Sequence, residues 1–183
     1  MTQYIFDPTG MEYSTFYQPD VPKTLATQPH SLGDDLQMEP LAIYPYNRIH
    51  APSSTLHSNI VDLTKWAMLY LNKGKINGRR VFSEESYNLL TSPTLKLNEY
   101  REVCLSWFTQ DFYGKRMYFH SGGDEGYRTF FGFFPQSKVA IVLMANNDFF
   151  QSTNAAVYLA NQLITNHPND WKKSIHFELK NII

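Results

Sequence analysis

The sequence predicts an α+β fold: an antiparallel β-meander with flanking helices, forming only part of the layered domain it belongs to. Between residues 103 and 146, strand-like runs follow one another through connections too short for a crossover. Helical periodicity precedes this region and returns after it. Residues 7–56 carry so little periodicity that they are too much loop for a compact domain standing alone. The 183-residue chain therefore reads as a single incomplete domain. Its parts are a loop-rich segment at 1–56, a helical segment at 57–93, antiparallel strands at 103–146 and a C-terminal helix at 150–166.

Each element has a local cause. In the first segment Gly10, Pro19, Pro22, Pro29, Gly33, Pro40, Pro45 and Pro52 interrupt any regular structure. That stretch either lies over a surface supplied by other polypeptide or is partly disordered. Ser58 is placed to cap a helix in which Ile60, Leu63, Ala67 and Leu71 recur at helical spacing, with Trp66 and Tyr70 beside them. Gly74 ends it, with Lys73 in the last turn. A second helix starts at Ser83, with Glu84 and Glu85 near its positive end, and stops before Pro93. The runs 103–112, 117–120, 127–134 and 139–144 read as strands, punctuated by Gly114, Gly122, Gly123 and Gly126, with a tight turn at 135–138. Tyr127, Phe130, Phe131, Phe133 and Phe134 fall on both faces of one strand, so that strand is covered on both sides. The last helix buries Ala156, Leu159, Ala160 and Leu163, and Pro168 closes it.

Composition narrows the function classes. Hydrophobic content of 43% with 15% aromatics suits a packed globular protein. A net charge of −1, with Lys172-Lys173 the only late basic pair, leaves no footprint for nucleic acid. No run of about 18 apolar residues exists to span a membrane, and Met1 to Pro8 does not read as a signal peptide. The lone cysteine, Cys104, lies in an apolar run and reads as a buried inert thiol. His50 and His57 have no Cys, Glu or His at ligand spacing around them and read as surface or loop histidines, so no metal is expected and no organic cofactor is indicated.

The chemistry concentrates in His120-Ser121-Gly122-Gly123, where flexible and polar residues stand at a sheet edge that should be apolar. Such a backbone can approach a ligand closely. The adjacent acids Asp124 and Glu125 read as a solvated turn before Gly126. Equally telling, no lysine has a serine or threonine three residues ahead of it.

Taken together these residues resemble the C-terminal portion of the serine β-lactamase, penicillin-binding protein and related esterase family, in its class C β-lactamase-like and D-Ala-D-Ala carboxypeptidase-like branch. The resemblance runs over roughly residues 5–166. One anchor is Phe6-Asp7-Pro8-Thr9-Gly10-Met11, similar to the family's Pro-Leu-Gly-Met stretch. A second is the stretch from Ser53-Ser54-Thr55 through His57-Ser58-Asn59 to Leu63, and the third joins residues 120–135 to 139–146. The family carries three boxes: Ser-x-x-Lys, Tyr/Ser-x-Asn, and Lys/His-Ser/Thr-Gly on an edge strand facing the nucleophile. Only the third is present. Tyr70-Leu71-Asn72 and Ser152-Thr153-Asn154 spell the second box but stand in the wrong order and read as coincidences.

The resemblance implies an incomplete β-lactamase/transpeptidase-like fold lacking its N-terminal part. It implies acyl-enzyme chemistry on a small-molecule or peptide substrate with a β-lactam, D-amino-acid peptide or ester bond. Gly123 would offer an N–H to the developing oxyanion, and Ser121 would hold a substrate carboxylate or carbonyl. His120 stands in place of the usual lysine as a proton-passing or hydrogen-bonding group. Gly122 would keep the strand edge clear, and Gln151 falls where class C relatives place a substrate contact. Without the nucleophile the chain is expected to be silent alone, since losing it costs on the order of 10⁶ in kcat. The run 139–144 would pair with a strand of the missing N-terminal portion, and left open it is a template for a second copy. A non-catalytic ligand-binding module or a split-protein piece is the alternative reading. The implied parent is a bacterial protein exported to the periplasm or cell envelope.

Overall fold

The computed structural model describes residues 1–42 and 48–165, the side chains of Arg48 and Pro52 apart. Pro45, Asn166, Pro168 and the Lys172-Lys173 pair, used in the reading above, lie outside the described residues.

Thr2–Phe6 forms a π-type turn that leads into the short helix α1 (Asp7–Thr9), ended by Gly10 at φ 72°. A 3-10 turn at Gln18–Asp20 precedes the small hairpin of β1 (His30–Leu32) and β2 (Met38–Pro40). A second 3-10 turn, Arg48–His50, leads into α2 (Ala51–Ser54) and then α3 (Ile60–Leu71). The hairpin β3 (Lys75–Ile76) and β4 (Arg79–Arg80) joins α3 to α4 (Glu84–Thr91). Six strands follow: β5 (Leu95–Lys96), β6 (Arg101–Val103), β7 (Phe108–Phe112), β8 (Lys115–Asp124), β9 (Tyr127–Phe134) and β10 (Val139–Ala145). The last element is α5 (Ser152–Ile164). The six strands pair consecutively and antiparallel in the order β10-β9-β8-β7-β6-β5, the meander that short connections dictate.

Alternation of side chains gives this sheet two cores. On one face Met117, Phe119, Phe130, Phe134 and Ile141 pack against Ala156, Val157 and Ala160 of α5. On the other, Phe133 with the half-buried Phe131 and Tyr118 meets Tyr70 of α3, Tyr87 of α4, Cys104 and Trp107. The aromatic strand at 127–134 is thus covered on both sides, as its sequence predicts.

Four local expectations are corrected. The run 103–112 is two strands, because Cys104 N–H donates to Trp107 O (2.8 Å) and closes a turn inside it. The cap of α3 is Asn59, whose Oδ1 accepts from Asp62 N–H at 2.9 Å, while Ser58 Oγ shares a hydrogen bond with Ser14 Oγ instead. In α3 the buried residues are Asp62, Ala67, Leu69 and Tyr70, and Ile60 is 49% exposed. In α5 the buried residues are Ser152, Ala156, Val157, Ala160 and Asn161, whereas Leu163 is exposed. By contrast α4 is capped where expected, by Ser83 Oγ accepting from Ser86 N–H at 3.0 Å.

The loop-rich first segment docks in part on the chain's own sheet and helix. Thr15 and His57 exchange backbone hydrogen bonds at 2.9 and 2.8 Å. The buried carboxylate of Asp62 accepts from Tyr13 N–H (2.8 Å), Ser14 Oγ–H (2.9 Å) and Lys65 Nζ (3.1 Å). That cluster fixes the residues after α1 to the start of α3.

Candidate active site

The site grows from a difference in strand length. Pairing of β7 with β8 stops at Phe108 opposite Phe119, but β8 runs on beside β9 as far as Asp124 opposite Tyr127. From His120 to Asp124, β8 is therefore paired on one side only among the described residues. His120, Ser121 and Gly123 are exposed, and Gly122 is half-buried. Alternation puts the backbone N–H and C=O of Ser121 and Gly123 on one side of the strand and those of His120 and Gly122 on the other.

The imidazole identifies which side is open. His120 Nδ1 lies 2.7 Å from Ser121 O, and the ring stacks on Phe108 with centroids 5.5 Å apart at 27°. A carbonyl oxygen only accepts, so Nδ1 donates to it and Nε2 remains available for a second partner. Phe108 is the first residue of β7, so the imidazole stacks where the pairing of β8 with its neighbour stops. The N–H of Gly123 points to the same side as the Ser121 carbonyl that the ring reaches.

The two glycines differ. A Cβ at position 122 would collide with the Thr129 hydroxyl directly across the strand pair, so this site admits no side chain. At position 123 a Cβ would stand 3.3 Å from Arg128 Nη1 and 3.5 Å from its Cδ and Cζ, a contact a flexible side chain can relieve. Sequence reasoning did not single out Thr129 or Arg128. Their signal was register: each faces one of the two glycines.

A strap from the first segment holds the turn behind these residues. Gly126, at φ 72°, lies so close to Pro29 and His30 N that a Cβ there would strike both. Tyr127 Oη–H donates to Thr27 O at 2.6 Å and Asp148 N–H to His30 O at 3.1 Å. Asn146 Nδ2 donates to Gln28 O at 3.0 Å, and His30 Nδ1 reaches Gln28 O at 2.8 Å and Asn146 O at 3.2 Å. Thus the β8–β9 turn and the end of β10 are tied together through residues 27–30.

The other predicted residues take the following places. Gln151 is exposed at the head of α5, and its Nε2 donates to Phe149 O at 3.3 Å. The neighbouring Ser152 Oγ–H donates to Thr129 O at 3.1 Å, which brings α5 to the Gly122 end of the sheet. Asp124 Oδ1 accepts from Glu125 N–H at 3.0 Å within the turn. His57 Nδ1 lies 2.9 Å from Thr55 O, and His50 is exposed. Among the described residues no group of three His, Cys, Asp or Glu side chains could hold a metal ion. No described helix is long and apolar enough to cross a membrane. Cys104 is buried, its Sγ–H donates to Thr91 O at 3.3 Å, and burial pushes its thiol above the usual range. Tyr70 is buried among the aromatic rings of the second core.

With this geometry in hand, a family model described as Beta-lactamase matches residues 1–164. The chain belongs to the β-lactamase family. No curated protein matches the sequence. Solved structures resemble this β-lactamase-family fold at low identity. The octameric penicillin-binding protein homologue from Pyrococcus abyssi has a TM-score of 0.76 at 18% identity, over 89% of this chain and 36% of that one. The D-stereospecific amidohydrolase from Streptomyces sp. gives 0.69 at 15% identity, over 89% and 47%. The penicillin-binding protein from Bacillus halodurans gives 0.62 at 14% identity, over 81% and 44%. The chain thus spans less than half the length of each of these structures, and the meander with its flanking helices is a partial β-lactamase/transpeptidase-like fold.

Proposed function

We propose that this chain forms one wall of an acyl-transfer site: the third box and oxyanion-side strand of a serine hydrolase acting on β-lactam, D-amino-acid peptide or ester bonds. The observation that carries the reading is the half-paired stretch His120 to Gly123 in a chain of the β-lactamase family. In this role Gly123 N–H meets the developing oxyanion, where a well-placed donor is worth about 10²–10³ in rate. Ser121 Oγ–H holds a carbonyl or carboxylate of the substrate. His120, through Nε2, hydrogen-bonds or passes a proton at the leaving group. Gly122 leaves the strand pair free of a side chain, and Gln151 approaches from the head of α5.

The nucleophile comes from polypeptide other than these 183 residues, because no Ser-x-x-Lys occurs among them. The same absence favours a second reading, a binding module or split-protein piece that keeps the cleft without turnover. The open edge of β10 is where a strand of the N-terminal portion, or a second copy of this chain, pairs.

Mixing the chain with a polypeptide carrying a Ser-x-x-Lys and Tyr-x-Asn segment, then following hydrolysis of an activated ester, tests the assignment. Turnover that requires both pieces and falls at least tenfold with Ser121→Ala supports the acyl-transfer role. Ligand binding without turnover supports the module. Turnover indifferent to Ser121 and His120 removes the assignment.

A further inference from the structure

We propose that Lys73, Lys75 and Lys138 form a cup, remote from the reaction edge, that binds a phosphate group. This site stands independently of the acyl-transfer reading.

The cup lies at the other end of the sheet. There the end of α3, the β3–β4 hairpin and the β9–β10 turn meet, roughly 20 Å along β9 from Arg128 by strand rise. A cavity of about 400 Å³ opens between them, within the size range of small-ligand sites. The three lysines line it together with Asn72, Asn77 and Glu84.

Its charge is one-sided. Glu84, the one carboxylate in the lining, already faces Arg80 Nη2 at 3.2 Å. Lys138 Nζ donates to Leu71 O at 2.5 Å and Arg80 Nη1 to Lys73 O at 3.1 Å, which caps the carbonyl end of α3. The Lys138 ammonium keeps two further donors. The side chains of Lys73 and Lys75 make no hydrogen bond or ion pair among the described residues. The result is a positive cup on a chain whose net charge is −1.

The backbone shows that two of these lysines stand where their side chains gain nothing locally. At the end of α3, Lys73 N–H donates to Tyr70 O at 3.1 Å and Gly74 N–H to Leu69 O at 2.8 Å. That is the paired closure whose first residue past the cap is left-handed and normally glycine. Here it is Lys73, at φ 50°. Lys138 ends the β9–β10 turn at φ 56°, again where glycine would carry no penalty. Three of the five non-glycine residues with positive φ among the described ones, Lys73, Asn77 and Lys138, line this cavity. Asn77 suits its Asn-Gly hairpin turn, but the lysines have no such local reason. What they supply and glycine would not is a long cation. Separate ammonium groups reaching in from three elements act as point charges, and the Asn72 and Asn77 amides add donors. That arrangement suits a compact group with several charged oxygens, a phosphate ester or diphosphate, better than a planar carboxylate.

The test is isothermal titration of the full chain with pyrophosphate, at an ionic strength fixed with sodium chloride. Saturable binding is expected, weaker at higher salt. Lys73→Gly should weaken it several-fold, and Lys73→Gly/Lys75→Gln at least tenfold. Lys73→Gly should also raise the Tm, because glycine fits the left-handed position, so weaker binding cannot be laid to a folding defect. Lys23→Gln/Lys96→Gln removes the same charge from exposed sites elsewhere and should bind like the native chain. Sedimentation with phosphatidylglycerol vesicles, reversed by pyrophosphate, would identify a lipid headgroup as the source of the phosphate. Pyrophosphate binding without sedimentation would identify a soluble phosphate ester. No saturable binding, or equal losses in the two double variants, overturns the site.

Discussion

Gly122 on β8 and Thr129 on β9 lie directly opposite each other, and the Thr129 hydroxyl occupies the space where a side chain at position 122 would begin. Gly122→Ala must therefore drive the Thr129 side chain out of its place, at a cost of about 1–3 kcal/mol for overpacking. Removing the obstacle should return much of it. Urea denaturation is expected to show Gly122→Ala well below the native chain and Gly122→Ala/Thr129→Ala closer to it, a coupling that a double-mutant cycle isolates. Gly123→Ala should cost less than Gly122→Ala, since its Cβ would stand 3.3 Å from Arg128 Nη1 and needs a shift of only a few tenths of an ångström.

Asp62 should be among the least replaceable residues outside the site. Its fully buried carboxylate accepts from Tyr13 N–H, Ser14 Oγ–H and Lys65 Nζ, joining the first segment to α3. Asp62→Ala leaves the Tyr13 N–H without its acceptor, while Ser14 keeps Ser58 Oγ and the 31% exposed Lys65 keeps Gly10 O. A loss of about 1–3 kcal/mol is expected, read from the denaturation midpoint. A change below ~1 kcal/mol would show that the first segment is not held by this cluster.

Alkaline pH should unfold the second core. Burial, together with nearby Tyr118 and Tyr70, pushes the Tyr87 hydroxyl from 10.0 up to about 12. Tyr70 and Tyr118 are raised as well, chiefly by burial. Because the folded state holds these protons more tightly, its advantage is complete below pH 10. As pH rises from about 10 to 12 the unfolded chain ionises first, and stability falls through that window. Denaturation midpoints measured at successive pH values should show the decline, and Tyr87→Phe should make it shallower.

Cys104 should resist modification. Its thiol is buried and raised by that burial, so the reactive thiolate is scarce. Ellman's reagent at pH 8 is expected to react slowly with the folded chain and within seconds to minutes once it is unfolded in guanidinium. Rapid reaction of the folded chain would place the β6–β7 turn on the surface.

The edge of β10 should make the isolated chain self-associate. Val139–Ala145 carries no charge and has β9 on one side only among the described residues. Light scattering is expected to report dimers or larger species, reduced by Met144→Lys at a position already 40% exposed. A monodisperse native monomer would contradict the open-edge reading.

Much of the fold was legible where local chemistry decides it. Ser83 and the two acids after it mark α4, and residues 135–138 mark the β9–β10 turn, whereas Gly122 and Gly123, read as punctuation after a strand ending at His120, lie inside β8. The reading failed where two local signals competed. Cys104 to Trp107 is apolar enough to pass for strand, but a backbone hydrogen bond folds it into a turn. Ser58 and Asn59 are both good caps, and only the distant Ser14 decides between them. In α5 the helix buries Asn161 and leaves Leu163 exposed, a choice made by the sheet beneath it and not by hydropathy. For the site, the box itself was visible as residues. The end of β7–β8 pairing at Phe108, the strap at 27–30 and the position of Arg128 were not, because each depends on strand register or on contacts more than 100 residues apart.

One measurement bears most directly on the claim that this chain carries a reaction wall without its own attacking group. Intact-mass spectrometry of the purified chain after incubation with a fluorophosphonate, and separately with a penicillin, should show the unmodified mass in both cases. A stoichiometric adduct mapped to one of the chain's own serines would contradict it.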